Sequence, residues 1–341
     1  MTPEIWLAVG GVFLAGLLQG VFAVPMKYMR QWSFENTWLA YSLSGMVILP
    51  WLLTTLTVPH LSQVYAASSA KTLLSIAGFG MCWGMGSTLT GIGLSMLGLG
   101  LGMAIILGLC ASVGSLIPLL VLTPQQINTP QGRTYLIGTA IMLAGIAISA
   151  RAGVLRDAAR NRTREASTRT SFWVGFIVCC LSGLLSSALN FSYAFGGEAV
   201  RHAVEFGTSS LWATGVVTAL AVSGGFVANL IYCSYLLGKN RTLHKFTGVG
   251  AGTRWLCGGL MGLFWFGGQA LYGLGVSHMG NLGVVIGWPL LMGMIIVTSN
   301  LAGVITGEWD GVSAASKRFL ASGMVIILIA LGVLAVAQRA S

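Results

Sequence analysis

The feature that most constrains this 341-residue chain is a series of long apolar runs that contain no charged residue. A transmembrane helix needs about 20 mostly apolar residues to cross the hydrocarbon core of a bilayer. Charged residues make up only 8% of the chain, against about 25% in soluble domains. The sequence therefore predicts an all-α integral membrane protein with ten transmembrane helices. The ten runs are Ile5–Val24, Thr37–Val58, Thr72–Met96, Gly98–Leu122, Thr134–Ala150, Ser171–Ala194, Ser209–Leu237, Trp255–Val276, Gly280–Ile305 and Phe319–Ala337.

A sixteen-residue stretch recurs 182 positions further along the chain. Trp83–Gly98 reads WGMGSTLTGIGLSMLG, and Trp265–Gly280 reads WFGGQALYGLGVSHMG. Seven aligned positions are identical without a gap, among them the tryptophan and four glycines. Because the copies end the third and eighth runs, the repeated unit is predicted to be five helices. An odd number of spans reverses the orientation of the second copy, which gives the inverted repeat typical of secondary transporters.

The duplication and the charges together predict domains and topology. We expect a first five-helix repeat at 1–152, an Arg-rich linker at 153–170 and a second five-helix repeat at 171–341. Fourteen of the 18 lysines and arginines lie in the loops after the first, fifth, seventh and ninth runs. Positively charged loops stay in the cytoplasm, so we expect the linker inside and both termini outside, in the periplasm. This topology explains the net charge of +10 without a nucleic-acid partner.

Side chains suited to catalysis or to metal binding are scarce. The six cysteines all lie in apolar runs and form neither a CxxC nor a Cys/His zinc spacing. The GxG patterns lie in apolar helices and lack a following Lys-Ser/Thr, so none of them predicts a phosphate-binding loop. A membrane-embedded enzyme would need a buried acid–base pair, which the charge-free runs do not offer. We therefore expect no enzymatic activity, no metal and no cofactor.

Six short segments, taken in order, carry a family resemblance. They are VPMKYMRQWSFE and VILPW around the first loop, FGMCWGMG in the third run, ARAG after the fifth, GGLMG in the eighth and GEW after the ninth. The set resembles the L-rhamnose–proton symporter family, a branch of the drug/metabolite transporter superfamily of ten-helix carriers. The resemblance implies a sugar importer of the bacterial inner membrane that uses the proton gradient as its energy source. Ser87–Thr90 and Gly283–Trp288 depart from the family pattern, which leaves a different sugar or a different proton carrier open.

A sugar site needs amides, hydroxyls and aromatic faces inside an otherwise apolar cavity. Gln269 is the first candidate, because it occupies the duplicated position that corresponds to Ser87. Interhelical hydrogen bonds or, for tryptophan, a membrane-interface belt are the alternatives for these residue types. The predicted substrate-binding residues are Gln269, Ser87, Thr90, Trp83, Trp265, Asn190 and Trp288.

Proton coupling requires a group that changes protonation during transport, usually a carboxylate or a histidine. Glu198 follows the sixth run beside two glycines, and His278 lies in the turn after the eighth. We name these two as proton-coupling candidates, and solvated loop residues are the alternative. Lys27 is expected to anchor the cytoplasmic end of the first helix.

The sequence thus predicts a carrier that imports a small deoxy-sugar, L-rhamnose above all, together with a proton. Its partners are expected to be the sugar, the proton and membrane lipid. An exporter or exchanger of another small metabolite, and a sugar sensor that does not transport, are the rival interpretations.

Overall fold

The computed structural model describes residues 3–97, 99–160, 169–279 and 283–337, and these residues form helices and turns without a strand. A π-helical turn at Ser44–Ile48 and 3-10 turns at Val24–Tyr28, Pro124–Gln126 and Leu243–Phe246 lie between longer elements. The α-helices are α1 (Pro3–Val21), α2 (Phe34–Leu43), α3 (Leu49–Thr57), α4 (Leu61–Ala67), α5 (Ala70–Leu97), α6 (Leu99–Leu122), α7 (Pro130–Arg160), α8 (Arg169–Ser186), α9 (Ala188–Phe195), α10 (Gly197–Glu205), α11 (Gly215–Asn240), α12 (Ala251–Ser277), α13 (Gly283–Ile305) and α14 (Ala314–Ala337).

Eight helical segments of the described chain are long and apolar enough to cross a membrane. The long helices α5 and α12, which carry the duplicated stretch, are not among the eight. Large apolar side chains such as Leu56, Leu74 and Ile231 are mostly exposed on the outside of the bundle. Backbone groups in hydrocarbon must be hydrogen-bonded within the protein, and helices satisfy this requirement. The chain is a multi-pass, all-helical membrane protein.

The second apolar run is not a single regular helix. It consists of α2, the π-helical turn and α3, with Pro50 at the start of α3. Proline lacks an N–H and its ring crowds the carbonyl four residues earlier, so the preceding turn widens. Gly45 lies in this turn, where a Cβ would stand 2.9 Å from the backbone of Gly262. The turn therefore lets this span lie against α12.

Three predicted boundaries differ from the structure. The fifth helix continues to Arg160, because alanine, leucine and arginine remain good helix formers beyond the apolar run. The sixth run divides at Ser187, whose hydroxyl donates a hydrogen bond to the carbonyl of Leu184 at 2.6 Å. The seventh helix begins at Gly215 rather than at Ser209, since the chain turns at Gly207 with a φ of 91°. Local hydrogen bonding by serine and threonine competes with helix formation at such points.

Because Pro289 directly follows Trp288 within the ninth apolar run, the sequence predicts a break in the helix there, but α13 is continuous. Helix α13 runs through Pro289, and α6 likewise runs through Pro118. Helices packed on several sides tolerate an internal proline because their neighbours re-satisfy the freed backbone group.

The duplicated helices α5 and α12 each bury one face in the bundle and expose another, which carries Leu74 on α5 and Leu256 on α12. Helix α5 packs mainly on α8 and α11, while α12 packs mainly on α1 and α2. Each helix of the pair therefore packs mainly on helices from the opposite half of the chain. This arrangement brings the two copies of the duplicated stretch to the middle of the molecule.

Candidate functional site

The two tryptophans of the duplicated stretch lie against each other in the core. The rings of Trp83 and Trp265 stack with centroids 5.2 Å apart and planes at 19°, and both side chains are buried. Tyr41 meets Trp265 edge-on at 6.1 Å. Gly225 makes room for Trp83, because a Cβ there would lie 2.5 Å from the indole ring. Each indole covers a face of the other in this conformation, so sugar stacking on these residues stays a prediction.

Gln269 lies one turn of α12 beyond Trp265 and is 2% exposed. Its Oε1 accepts no hydrogen bond from any described residue. On the adjacent face of α1, Gln19 is also buried, and its Nε2 donates to no described residue. A Cβ on Gly268 would stand 3.1 Å from this Nε2. A buried polar atom without a partner costs about 1–3 kcal/mol, so this layer of amides offers an acceptor and a donor to a polar ligand.

Ser87 and Thr90 lie on α5, within two turns beyond Trp83. Ser87 is half-buried one turn beyond Trp83. The Thr90 hydroxyl lies 2.9 Å from the hydroxyl of Ser182, which donates at 2.8 Å to the carbonyl of Gly86. Thr90 therefore ties α5 to α8 in this conformation, and its role in binding remains untested.

Asn190 and Trp288 belong to a hydrogen-bonded network deeper in the protein. The Asn190 Nδ2 donates to two carbonyls, at 2.7 Å to Gly114 and 3.0 Å to Val284. Its Oδ1 accepts the hydroxyl of Tyr272 at 2.5 Å. The indole of Trp288 donates to a backbone carbonyl of α6 at 3.0 Å. These side chains join α6, α9, α12 and α13, and their hydrogen bonds are already made within the protein.

The two proton-coupling candidates lie apart from each other and from this network. Glu198 on α10 accepts the backbone N–H of Ser69 at 2.8 Å and its hydroxyl at 2.7 Å, together with the hydroxyl of Thr72. It thereby holds α10 against the beginning of α5. His278 is exposed at the end of α12, where its Nδ1 lies 2.9 Å from the carbonyl of Leu274. Proton coupling through either residue stays a prediction.

A cavity of about 490 Å³ enters the bundle between helices of both halves. Its walls come from α1, α6, α7 and α13, and none of the nine predicted site residues lines it. Ser149, Ser299 and Asn300 supply hydroxyl and amide groups to an otherwise apolar wall. The volume falls within the range of about 300–1,000 Å³ that small-molecule sites occupy.

Charged residues gather at the mouth of this cavity. Lys27 forms an ion pair with Glu308 at 2.6 Å, and the two side chains are 40% and 45% exposed. Arg156, at the end of α7, lies over the ring of Trp309 at 4.9 Å from its centroid. These contacts join the ends of α1 and α7 to the segment that follows α13.

Gln19, Asn300 and Glu308 are not among the site residues that the sequence predicts. One signal for the Lys27–Glu308 pair was present. Both residues directly follow an apolar run on the side predicted to be cytoplasmic, within segments that carry the family resemblance. The sequence contains no comparable signal for the unsatisfied atoms of Gln19 and Gln269. Whether these atoms find hydrogen-bond partners depends on how α1 and α12 pack against each other.

Membrane-crossing helices around a cavity that opens at one end, with hydrogen-bonding groups in its wall, are the features of a multi-pass transport protein. A family model described as L-rhamnose-proton symport protein (RhaT) matches residues 4–340. The chain belongs to this family, as its resemblance predicted, and the family is one of transporters rather than enzymes.

Named relatives agree with this assignment. The chain is 27% identical over 348 residues to the L-rhamnose-proton symporter of Yersinia pestis bv. Antiqua (strain Antiqua). This alignment covers 98% of this chain and 97% of the relative. The chain has the same identity and coverage to the L-rhamnose-proton symporters of Yersinia pestis (strain Pestoides F) and Yersinia pseudotuberculosis serotype O:1b (strain IP 31758).

Proposed function

We propose that this protein is a secondary active transporter of the bacterial inner membrane that imports L-rhamnose together with a proton. The cavity of about 490 Å³ carries the proposal, because it enters between helices of both halves and offers hydroxyl, amide and charged groups. Family membership and the names of the relatives support the same substrate.

Ten transmembrane helices in two inverted repeats form the proposed scaffold. Helices α5 and α12 have 28 and 27 residues, or about 40 Å at about 1.5 Å per residue. This length exceeds the hydrocarbon core of about 30 Å. Together with the eight apolar spans they give ten. Their weaker hydropathy follows from their glycine and polar residues, and several of these glycines contact neighbouring helices, where small residues let backbones approach.

Close glycine contacts support the inverted repeat. Glycines of α5 at the duplicated positions pack on α8, and their counterparts on α12 pack on α1. The contacted residues are themselves related by a constant offset of 167. The correspondences are Gly86 on Ser182 and Ser186 against Gly268 on Ala15 and Gln19, and Gly93 on Cys179 against Gly275 on Val12. Two halves of the same fold related by a twofold axis would give this pattern.

In this scheme the axis passes between the stacked Trp83 and Trp265. The cavity is open at the end that carries Lys27 and Glu308, and the buried tryptophan and amide layer closes it from the other end. Alternating access follows if each half adopts the conformation of the other, because the opening then moves to the opposite side. We place the sugar between the cavity and this layer, within reach of Gln269, Gln19 and Ser87.

Glu308 is our structural candidate for the proton carrier, beside Glu198 and His278. It is a carboxylate that lines the cavity, and it pairs with Lys27 across the gap between the ends of α1 and α13. Protonation would break this ion pair and release the two halves from each other. Movement of the mouth would then be linked to proton binding.

Reconstitution tests the proposal. Purified protein in proteoliposomes, given an outside-acid pH gradient, should accumulate labelled L-rhamnose, and a protonophore should abolish the accumulation. Correctly folded protein that exchanges L-rhamnose but never accumulates it would contradict proton coupling. Failure to exchange L-rhamnose at all would contradict the substrate.

The Glu308→Gln variant tests the proton carrier separately. We expect it to exchange L-rhamnose across the membrane, while gradient-driven accumulation falls at least about tenfold, the effect of about 1.4 kcal/mol. Asp310→Asn removes a nearby exposed carboxylate and is the matched control. Normal accumulation by Glu308→Gln would contradict this role and direct attention to Glu198→Gln and His278→Asn.

A further inference from the structure

A basic cleft lies on the outside of the bundle, next to the mouth of the transport cavity. It measures about 790 Å³ and contains Lys27, Arg30 and Arg254. Arg30 is exposed and makes no hydrogen bond or ion pair within the described chain. Arg254 is positioned by hydrogen bonds to the side chain of Gln31 and, at 2.8 Å, to the carbonyl of Val249. Three cations thus face one cleft.

An apolar groove of about 410 Å³ continues from this cleft. The two share the residues Tyr28, Ile305 and Thr306. The groove runs between the end of α1, α12 and α13, with Leu260 and Phe264 in its wall. Ile305 is 83% exposed, so the groove is open to whatever surrounds the bundle. In a membrane the surrounding medium is lipid.

Aromatic residues place the cleft at the boundary between membrane and water. Trp32 packs edge-on against Phe246 and Trp255, with ring centroids 5.3 and 5.4 Å apart. Trp255 is 40% exposed and Tyr28 is 77% exposed. Tryptophan and tyrosine are enriched where the headgroups of a bilayer lie. The cleft therefore lies at headgroup depth and the groove at the depth of the acyl chains.

We propose that the cleft and groove bind one anionic phospholipid, with its phosphate between Arg30 and Arg254 and an acyl chain along the groove. Basic pockets on the positively charged side of membrane proteins suit acidic headgroups, and arginine suits phosphate oxygens. A soluble phosphate would leave the groove empty, and a zwitterionic lipid would bring no net charge to Arg30 and Arg254. Lys27 also forms the ion pair at the cavity mouth, so the lipid would lie beside that mouth. The proposal is independent of the sugar that is carried.

Native mass spectrometry of the purified full-length protein tests the proposal. We expect the wild type to retain one phosphatidylglycerol in preference to a phosphatidylcholine with the same acyl chains. The double variant Arg30→Gln/Arg254→Gln should bind phosphatidylglycerol at least about tenfold more weakly, since each basic residue near a membrane surface contributes about 1 kcal/mol. Arg133→Gln/Arg201→Gln makes the same charge change at exposed arginines elsewhere and should bind as the wild type does.

Two further arms complete the test. Glycerol 3-phosphate, which has the phosphate but no acyl chain, should neither bind nor compete. If the double variant fails to fold, Arg30→Gln alone serves, because Arg30 contacts no polar group of the described chain and its loss should still weaken lipid binding several-fold. Equal binding of the two lipids, an equal loss in both double variants, unchanged binding by Arg30→Gln, or competition by glycerol 3-phosphate would overturn the proposal.

Discussion

Gln269 and Asn190 are buried amides of the same chemistry, yet their hydrogen bonding within the protein differs. Asn190 makes three hydrogen bonds within the protein, whereas the Oε1 of Gln269 makes none with the described residues. The sequence predicted both as candidates, because an amide in an apolar run is unusual. It did not separate them, because partners come from other helices and no spacing reveals them.

The Gln269→Leu variant should lose transport without losing stability. Leucine removes an acceptor that has no partner in the described chain, so the thermal midpoint should stay the same or rise. L-rhamnose uptake should fall at least about fivefold, since a lost hydrogen bond to the sugar costs about 1 kcal/mol or more. Uptake and thermal melting of the same preparation measure both effects. Normal uptake would remove Gln269 from the binding site.

The Asn190→Leu variant should give the opposite pattern and serves as its matched control. It leaves the hydroxyl of Tyr272 and the carbonyls of Gly114 and Val284 without their partner. We expect a loss of stability of about 1–3 kcal/mol, measured by thermal melting in detergent. A fully stable variant with impaired uptake would assign Asn190 to the sugar site instead of the scaffold.

Among the helices, α5 shows how glycine sets the distance to its neighbours. A Cβ on Gly84 would stand 2.4 Å from the carbonyl of Gly225 on α11. On the same helix, a Cβ on Gly78 would meet nothing within 4 Å. Small residues let membrane helices approach closely and bring their backbones into contact. Of the many glycines in this chain, only those at such contacts are required by packing.

We therefore expect Gly84→Ala to destabilise the protein and Gly78→Ala to be harmless. The inserted methyl at Gly84 forces α5 and α11 apart, at a cost of about 1–3 kcal/mol. At Gly78 the better helix propensity of alanine should stabilise slightly, by up to about 1 kcal/mol. The thermal unfolding midpoints of the two variants, each compared with that of the wild type, test this prediction. Equal midpoints would show that α5 and α11 are not held at this distance.

The apolar runs predicted where helices exist, but not how they begin and end. Length and absence of charge suffice to identify a span, which is why the all-helical membrane class is confirmed. The π-helical turn before Pro50 and the division at Ser187 depend on one residue each. The extension of α7 to Arg160 depends on a charged segment that continues a helix beyond the run, where Arg156 packs on Trp309. Such local effects do not change the hydropathy of a run, so hydropathy alone does not predict where the helices begin and end.

At the scale of the whole molecule, the distribution of lysine and arginine predicts orientation. Fusion of alkaline phosphatase after Ser341 should give active enzyme, because that domain forms its disulfides only in the oxidising periplasm. The same domain fused after Arg160 should be inactive. The reverse pattern would invert the topology, and activity at both positions would contradict an odd number of spans between them.

Family membership was predicted from six short segments and is confirmed over residues 4–340. The five-helix repeat was predicted from the duplicated stretch, and the glycine contacts of α5 and α12 now support it. The cavity was not predicted, because four helices distant in sequence enclose it. Its mouth joins the ends of both halves through Lys27 and Glu308, and a proton-linked change at this mouth is the central claim of the proposed mechanism.

The most direct measurement is the movement of protons when the sugar is added. Cells that lack their own rhamnose carrier, express this protein and are suspended in a weakly buffered medium should alkalinise that medium when L-rhamnose is added. A protonophore should abolish the signal, and Glu308→Gln should reduce it while Asp310→Asn does not. Uptake of L-rhamnose without alkalinisation, or acidification on its addition, would contradict proton symport.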